Sequence, residues 1–425
     1  MKILIVGSGG REHALAWKIA KSPRLEKLYC APGNGGTATI AQNVPIKDSD
    51  IHGLVDFALK ERIDLTVVGP ELPLSLGIVD RFEEVELKVF GPNKKAAELE
   101  GSKIFAKQFM ERHKIPTGRF RIAETVDKAR KILNSGEFPF PLVVKADGLA
   151  GGKGAVICHT PKRAEETVTA MMVQKKFGDA GKRVLIEEFL RGKEVSFIVL
   201  SDGAKVQPLV TTMDHKAVYD GDRGLNTGGM GAISPSPFID SQLFSETMKT
   251  IVLPTVTRML EEGRKFKGVL YVGLMLTDDG PKVLEYNCRF GDPETQPQMI
   301  RLESDLLELF LSVLEENVLK SQVRWSARPS GCVVLTAGGY PQKYETGKVI
   351  SGLKEASEMA GLTVFHAGTK LEEGQFLTSG GRVLGVCASE ETLALTMQTI
   401  YKGINLIHFD AMHYRRDIGA QREEK

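Results

Sequence analysis

The chain opens on a short apolar run, Ile3 to Val6, and then repeats a simple rhythm. Helically spaced apolar positions run from Glu12 to Lys21, a second apolar run spans Lys27 to Cys30, helical spacing returns from Leu54 to Lys60, and a third run covers Leu65 to Val68. Short apolar strands alternating with amphipathic helices predict a parallel α/β sheet over residues 1–101. From Ser102-Lys103, which reads as a cap, a helix is expected with Phe105, Phe109 and Met110 along one side, ended by His113-Lys-Ile-Pro116. Residues 102–325 then mix strands with long polar loops. A last stretch, 326–425, offers strands at Cys332 to Ala337 and Arg382 to Cys387 and a helix near Glu390 to Tyr401, and reads as a small α+β cap.

Several strands deliver polar residues where an apolar pattern stops. In the run from Lys282 to Gln296, Glu285, Asn287 and Arg289 fall at alternate positions and share one face, while Tyr286, Cys288 and Phe290 are expected on the other. A carboxylate and an amide oxygen so placed are hard ligands suited to Mg²⁺, with Arg289 beside them facing phosphates. Pro141-Leu-Val-Val-Lys145 leads into a loop containing Gly151, Gly152, Lys153 and Gly154, and Ala155-Val-Ile-Cys158 returns as a strand. That spacing is not a Walker A loop, which opens a helix; it predicts a glycine-rich hairpin closing over an anion, with Lys145 and Lys153 as fixed charges. Arg183 to Leu190 ends in Glu187, Glu188 and Phe189, a place to hold adenine and ribose, although a strand ending in solvated glutamates has the same pattern.

Two loops suit a second ligand. Gly7-Ser-Gly-Gly10 has Glu12 where a dinucleotide fingerprint needs its third glycine, and no acid closes the second strand at Tyr29 to Pro32, which disfavours NAD. Amides around Gly9 and Gly10 at a helix start still suit a sugar phosphate, with Glu71 reaching the same crevice or simply favoured by a helix dipole. The glycine-rich stretch from Asp214 through Lys216 and Asn226 to Gly231 lacks apolar periodicity and suits substrate capture.

Composition narrows the setting. A chain of 425 residues, 42% hydrophobic and 26% charged, with formal net charge +2, is ordinary for a soluble multidomain enzyme. No basic block points to nucleic acid, no apolar run approaches a membrane span, and the apolar start is too short for a signal peptide, so a cytoplasmic enzyme is expected. The five cysteines lack C-x-x-C spacing and argue against structural zinc. His13, His159 and His366 show no ligand-pair spacing and read as structural.

The order of a strand lysine, a Gly-Lys hairpin, a Glu-Glu-Phe strand end and Glu-x-Asn-x-Arg resembles the ATP-grasp superfamily over roughly residues 102–325. Gly9-Gly-Arg-Glu-His-Ala14, Ala31-Pro-Gly-Asn34, Val68-Gly-Pro-Glu71, Asn226-Thr-Gly-Gly-Met-Gly-Ala232 and Asn287-Cys-Arg-Phe-Gly-Asp-Pro-Glu-Thr-Gln-Pro297 are similar to the glycinamide ribonucleotide synthetase family. Ala337-Gly-Gly-Tyr-Pro341, Phe365-His-Ala-Gly-Thr369 and Gly380-Gly-Arg-Val383 extend the likeness through the cap. The resemblance implies an ATP-grasp fold behind the N-terminal α/β domain, with a mobile ATP lid at about 119–190. It implies joining of glycine to 5-phosphoribosylamine through glycyl phosphate, with ATP as co-substrate and Mg²⁺ or Mn²⁺ on Glu285 and Asn287.

In that frame Lys103 and Lys145 take the α- and β-phosphates, and Glu187, Glu188, Phe189 and Glu194 the adenosine. Arg289 steadies the transferring phosphoryl group. Asp292, Pro293, Glu294 and Thr295 lie where glycine and the amine meet. Partners are then small molecules, with a transient handover from the amidotransferase that makes the labile amine. The chain departs from the family at Ala217, where a basic residue is common, and at Leu225, where proline is. Tyr271 to Leu276 offers no carboxylate for a second metal. Carboxylases of the biotin or aminoimidazole type would share the hairpin without the Asn226 loop or the Asp292 turn, and a non-catalytic nucleotide-binding module would have lost Lys145, Glu285 or Arg289.

Overall fold

The computed structural model describes residues 1–320 and 322–420. Its first sheet is parallel throughout, in the order Gln42–Asn43, Lys27–Pro32, Lys2–Gly7, Leu65–Val68, Val89–Phe90. The strand order reverses between Lys2–Gly7 and Leu65–Val68, and the loops after these two strands, at Ser8–Gly9 and Pro70–Glu71, open one crevice, as a doubly wound sheet requires. The helix expected from Glu12 starts earlier, at Gly10, because Glu12 folds back and its carboxylate takes the Gly9 N–H at 2.6 Å.

The central sheet is antiparallel, in the order Val206–Pro208, Lys193–Asp202, Lys267–Thr277, Gly280–Asn287. Alternation along its longest strands feeds two cores. Val195, Phe197 and Val199 pack with Phe109, Met110 and Val256, whereas Ile198 and Leu200 pack with Phe90, Phe310 and the first sheet. Each face of this sheet is therefore covered, which explains why its strands read as nearly continuous apolar runs.

Two further sheets flank it. Phe120–Ala123, Val184–Glu188, Leu142–Ala146 and Ala155–Cys158 form one, where Lys145 pairs with Ala155 and the glycines lie in the connecting turn, as the hairpin expectation required. The other runs Met213–Asp214, Gly231–Ser234, Ser330–Thr336, Arg382–Ser389, Leu362–His366. Two of its five strands come from before residue 235, so the C-terminal stretch completes a sheet that the glycine-rich segment begins. Among the described residues no helix is long and apolar enough to cross a membrane.

Candidate active site

A cavity of about 510 Å³ lies where the hairpin, the central sheet, the first sheet's crevice and the C-terminal sheet converge. One of its walls rests on a local irregularity. Gly273 pairs with Glu285 but Leu274 pairs with Val283, so Leu284 is an extra residue in its strand. The bulge turns Val283, Tyr286 and Cys288 together into the core and leaves Glu285 and Asn287 at the cavity. It also presents the Leu284 carbonyl, which accepts from Lys145 Nζ at 3.1 Å. Phe290 does not follow the expected alternation. The strand stops at Asn287, the chain bends, and Phe290 joins the other core beside Phe310.

Most of the positive groups are held by a carboxylate, and Lys103 by a backbone carbonyl. Glu187 is almost fully buried and its Oε2 receives both Lys145 and Lys107, each at 3.0 Å, leaving Oε1 without a hydrogen-bond partner. Burial pushes the Glu187 carboxyl up, but the two ammonium groups outweigh it and hold it below its ordinary value. Lys103 opens the helix Lys103–His113, whose first turn is capped by Ser102 and by Asp147, and its Nζ donates to the Gly148 carbonyl at 3.2 Å. Lys216 bonds Glu194 and lies 3.8 Å from Glu285 Oε1. Burial alone would raise Glu285; Lys216, Lys103 and Lys145 together lower it, so the carboxylate is kept ionised.

Arg289 spans two acids, Glu71 at 3.1 Å and Glu100 at 3.1 Å, and donates to Asn287 Oδ1 at 3.2 Å. The two carboxyls are driven apart. Burial raises Glu71, but Arg289 and Arg11 overcome it and bring it to about 2, whereas burial dominates at Glu100 and pushes it up to about 7. Asp292 receives Gln296 at 2.8 Å and the Arg11 N–H at 3.4 Å, with Arg382 at 3.5 Å. Burial works against its charge and Arg382 and Arg11 restore it, leaving Asp292 below the usual carboxylate range. Beyond it Glu294 accepts from Tyr271 at 2.8 Å and Ser196 at 3.1 Å. Asp214, whose buried Oδ1 has no hydrogen-bond partner, is raised by burial and by Glu294.

Most of the residues picked from sequence line this one cavity: Lys103, Lys145, Gly151, Gly152, Gly154, Glu187, Glu188, Phe189, Glu194, Gly9, Glu71, Asp214, Lys216, Asn226, Glu285, Asn287, Arg289, Asp292 and Glu294. Lys153, Gly10, Pro293 and Thr295 are not in its wall. Lys153 is exposed at the hairpin tip. Gly10 is buried against Gln296, where a Cβ would lie 2.6 Å from the amide nitrogen, so it serves helix packing. Pro293 lies under Gly229, and Thr295 spends its hydroxyl on the Gly291 carbonyl at 2.6 Å inside the core. Glu188 lines the cavity but is held by Arg119 through two contacts of 2.8 Å. The expected anion loop is partly filled from within, since the Gly9 and Arg11 amides already face Glu12 and Asp292.

Sequence reasoning missed Lys107, Glu100, Arg11 and Arg382. Lys107 repeats Lys103 one helical turn on, a readable signal; Arg382 stood in a quoted motif without a role; Glu100 sits on a short helix before residue 102 with nothing in its surroundings to mark it. His13 and His366 are structural as expected: His13 Nδ1 accepts from the His366 N–H at 2.8 Å, and burial lowers the pair to about 3 and about 4. Glu285 and Asn287 supply a carboxylate and an amide oxygen on one wall, a donor set that fits a hard divalent cation beside nucleotide phosphates. No cluster of three or more metal-ligating side chains occurs among the described residues.

Comparison with known proteins agrees with this architecture. Three family models match in succession: Phosphoribosylglycinamide synthetase N domain over residues 1–100, its ATP-grasp (A) domain over 101–295 and its C domain over 330–421. The phosphoribosylamine–glycine ligase of Escherichia coli (strain K12) is 51% identical over 429 residues, covering 100% of this chain and 99% of that protein. That of Vibrio parahaemolyticus is 49% identical over 432 residues, covering 100% of both. The crystal structure of the Thermotoga maritima phosphoribosylamine–glycine ligase superposes with a TM-score of 0.84 at 34% identity, covering 99% of this chain and 100% of that one. A biotin carboxylase from Campylobacter jejuni, at 14% identity and TM-score 0.74 over 97% of this chain and 92% of that one, shares the fold. The chain belongs to the phosphoribosylamine–glycine ligase family, ATP-grasp enzymes that form glycinamide ribonucleotide in purine biosynthesis using ATP and a divalent metal.

Proposed function

We propose that the cavity divides the ligation between an ATP end and an acyl-transfer end that meet at Arg289. Lys103 and Lys145 take the α- and β-phosphates, Gly151, Gly152 and Gly154 bring hairpin backbone over them, and the Glu187 to Phe189 strand end with Glu194 holds adenosine. Mg²⁺ or Mn²⁺ belongs on Glu285 and Asn287, where it would neutralise charge on the β- and γ-oxygens. The single observation that carries this reading is the bulge at Leu284, which turns Glu285 and Asn287 to the same cavity as Lys145 and Arg289. For the ligands to reach their places, Lys216 must leave Glu285 and Arg289 must leave Asn287, contacts each chain can exchange for a phosphate.

Glycine attacks the γ-phosphate through its carboxylate, giving glycyl phosphate and ADP. Asp214, half-buried, and Glu294, buried, receive its ammonium, and Asp292 orients the amine of 5-phosphoribosylamine as it attacks the acyl carbon and releases phosphate. Glu71 and the Gly9 turn face the ribose phosphate end. Glycyl phosphate is hydrolysable, so the hairpin and the 226–231 loop must exclude water. A labile amine substrate also favours a cytoplasmic setting and transient transfer from the amidotransferase that makes it.

The test is ADP release by the purified chain with ATP, Mg²⁺ and glycine, with and without phosphoribosylamine generated in place. ADP formed in step with glycinamide ribonucleotide, and only with both substrates, is expected; ADP release independent of the amine contradicts the shared-cavity reading.

A further inference from the structure

The Tyr340 and Arg382 motifs of the C-terminal region meet the Asn226 loop at one peptide. Gly228, in the Asn226 loop, gives its N–H to the Tyr340 hydroxyl at 3.1 Å, and its carbonyl accepts from Arg382 at 2.6 Å. The same Arg382 nitrogen donates to the Asp292 carbonyl at 2.6 Å. Glycines make this approach feasible: a Cβ on Gly228 would lie 3.0 Å from the guanidinium carbon of Arg382, and one on Gly381 would lie 2.4 Å from the ring of Tyr340. The loop is fixed on its other side too. Thr227 donates through both its N–H and its hydroxyl to the Lys216 carbonyl at 2.8 Å. Gly152, at the tip of the phosphate hairpin, comes so close that a Cβ there would contact the Thr227 carbonyl at 3.6 Å.

We infer that Tyr340 and Arg382 are positioning residues which clamp the Gly228 peptide so that the 226–229 loop forms a fixed lip against the hairpin tip, keeping water from glycyl phosphate. This rests on the site reading above. Without the lip, water attacks the acyl carbon: its oxygen bonds to that carbon, the carbon–oxygen bond to phosphate breaks, and glycine and inorganic phosphate leave, so that ATP is hydrolysed without amide formation.

Tyr340→Phe keeps the ring over Gly381 and removes only the acceptor of the Gly228 N–H. Expected is a rise in ADP released per glycinamide ribonucleotide, from one in the unaltered chain by about three- to tenfold, the factor for one lost hydrogen bond of ordinary strength. A KM for ATP within twofold of the unaltered chain should accompany it, with faster hydrogen exchange at the Gly228 amide. Arg382→Lys, which retains the charge but can make fewer contacts, should raise the ratio in the same direction. A merely structural loss would lower both products together at a constant ratio. A ratio of one in Tyr340→Phe, with the variant folded, overturns the clamp; should that variant not fold, a ratio of one in Arg382→Lys overturns it. Absence of amine-coupled ADP release in the unaltered chain would overturn the site reading itself.

Discussion

The chemistry of single side chains here is governed by who sits beside them in a buried place. Glu285 is surrounded by Lys216, Lys103 and Lys145 and stays ionised despite burial. Glu285→Gln removes that charge at nearly constant shape and should lower kcat by about 10²-fold or more, the scale of losing a transition-state electrostatic contact. It should also raise the metal concentration needed for half activity. A titration of activity against Mg²⁺ checks both, and an unchanged curve would rule out the metal assignment.

Glu100 shows the opposite balance. Its ordinary value of 4.5 is pushed up to about 7 by burial, so the folded state keeps a proton that the unfolded chain has already released. Stability contributed through this group is therefore full below pH about 4.5, falls as pH rises to about 7, and is flat above. Glu100→Gln should remove that part of the slope and stabilise the fold at pH 8 by about 1–3 kcal/mol. Urea unfolding of both chains from pH 5 to 8 reads it out, and parallel stability profiles would contradict it.

At the scale of elements, the decisive features are a bulge, a hairpin and a loop with one forbidding glycine. Gly229 has φ of +116°, and a Cβ there would lie 2.4 Å from Pro293 and 2.8 Å from Asp214. Gly229→Ala cannot relieve both conflicts without moving the loop from Asp214. It should reduce kcat/KM for glycine by about 10–100-fold, as misplacing a reacting group by about 1 Å does. The melting temperature should shift far less, since the loop lies outside the two cores of the central sheet. Steady-state kinetics beside thermal unfolding separates the two effects; equal losses in both would show that the loop is a structural element.

For the whole molecule, the C-terminal sheet is the joint. Gly231–Ser234 pairs with Ser330–Thr336, and Ile233 packs in the core formed by Val333, Leu335 and Val386. A chain ended at residue 325 leaves that strand an open edge and strips the apolar face of Ile233, a template for aggregation. Such a truncation is expected to be mostly insoluble or to melt well below the full chain, as sedimentation and thermal unfolding would show; a soluble fragment with the full chain's melting temperature would argue against the joint.

What could be read without the structure followed from local rules. Period-two and period-3.6 patterns placed the parallel sheet, the glycine hairpin and the Glu285, Asn287 and Arg289 face, because backbone geometry ties such spacing to one side of an element. The motif runs were likewise legible as a resemblance. Local rules could not show that Glu187 would serve two lysines, since that depends on which groups are buried together; the Glu12 carboxylate on the Gly9 amide, by contrast, is a capping contact between near neighbours in the chain. Phe290 left its expected side because the strand ended three residues earlier, at Asn287. Glu100 is far in the chain from Arg289, Arg382 from Asp292 and Tyr340 from Gly228, and only folding sets each pair together. The sequence by itself determined the elements, the type of site and the family; the tertiary structure decided which charge neutralises which, because burial and proximity are properties of the packed whole.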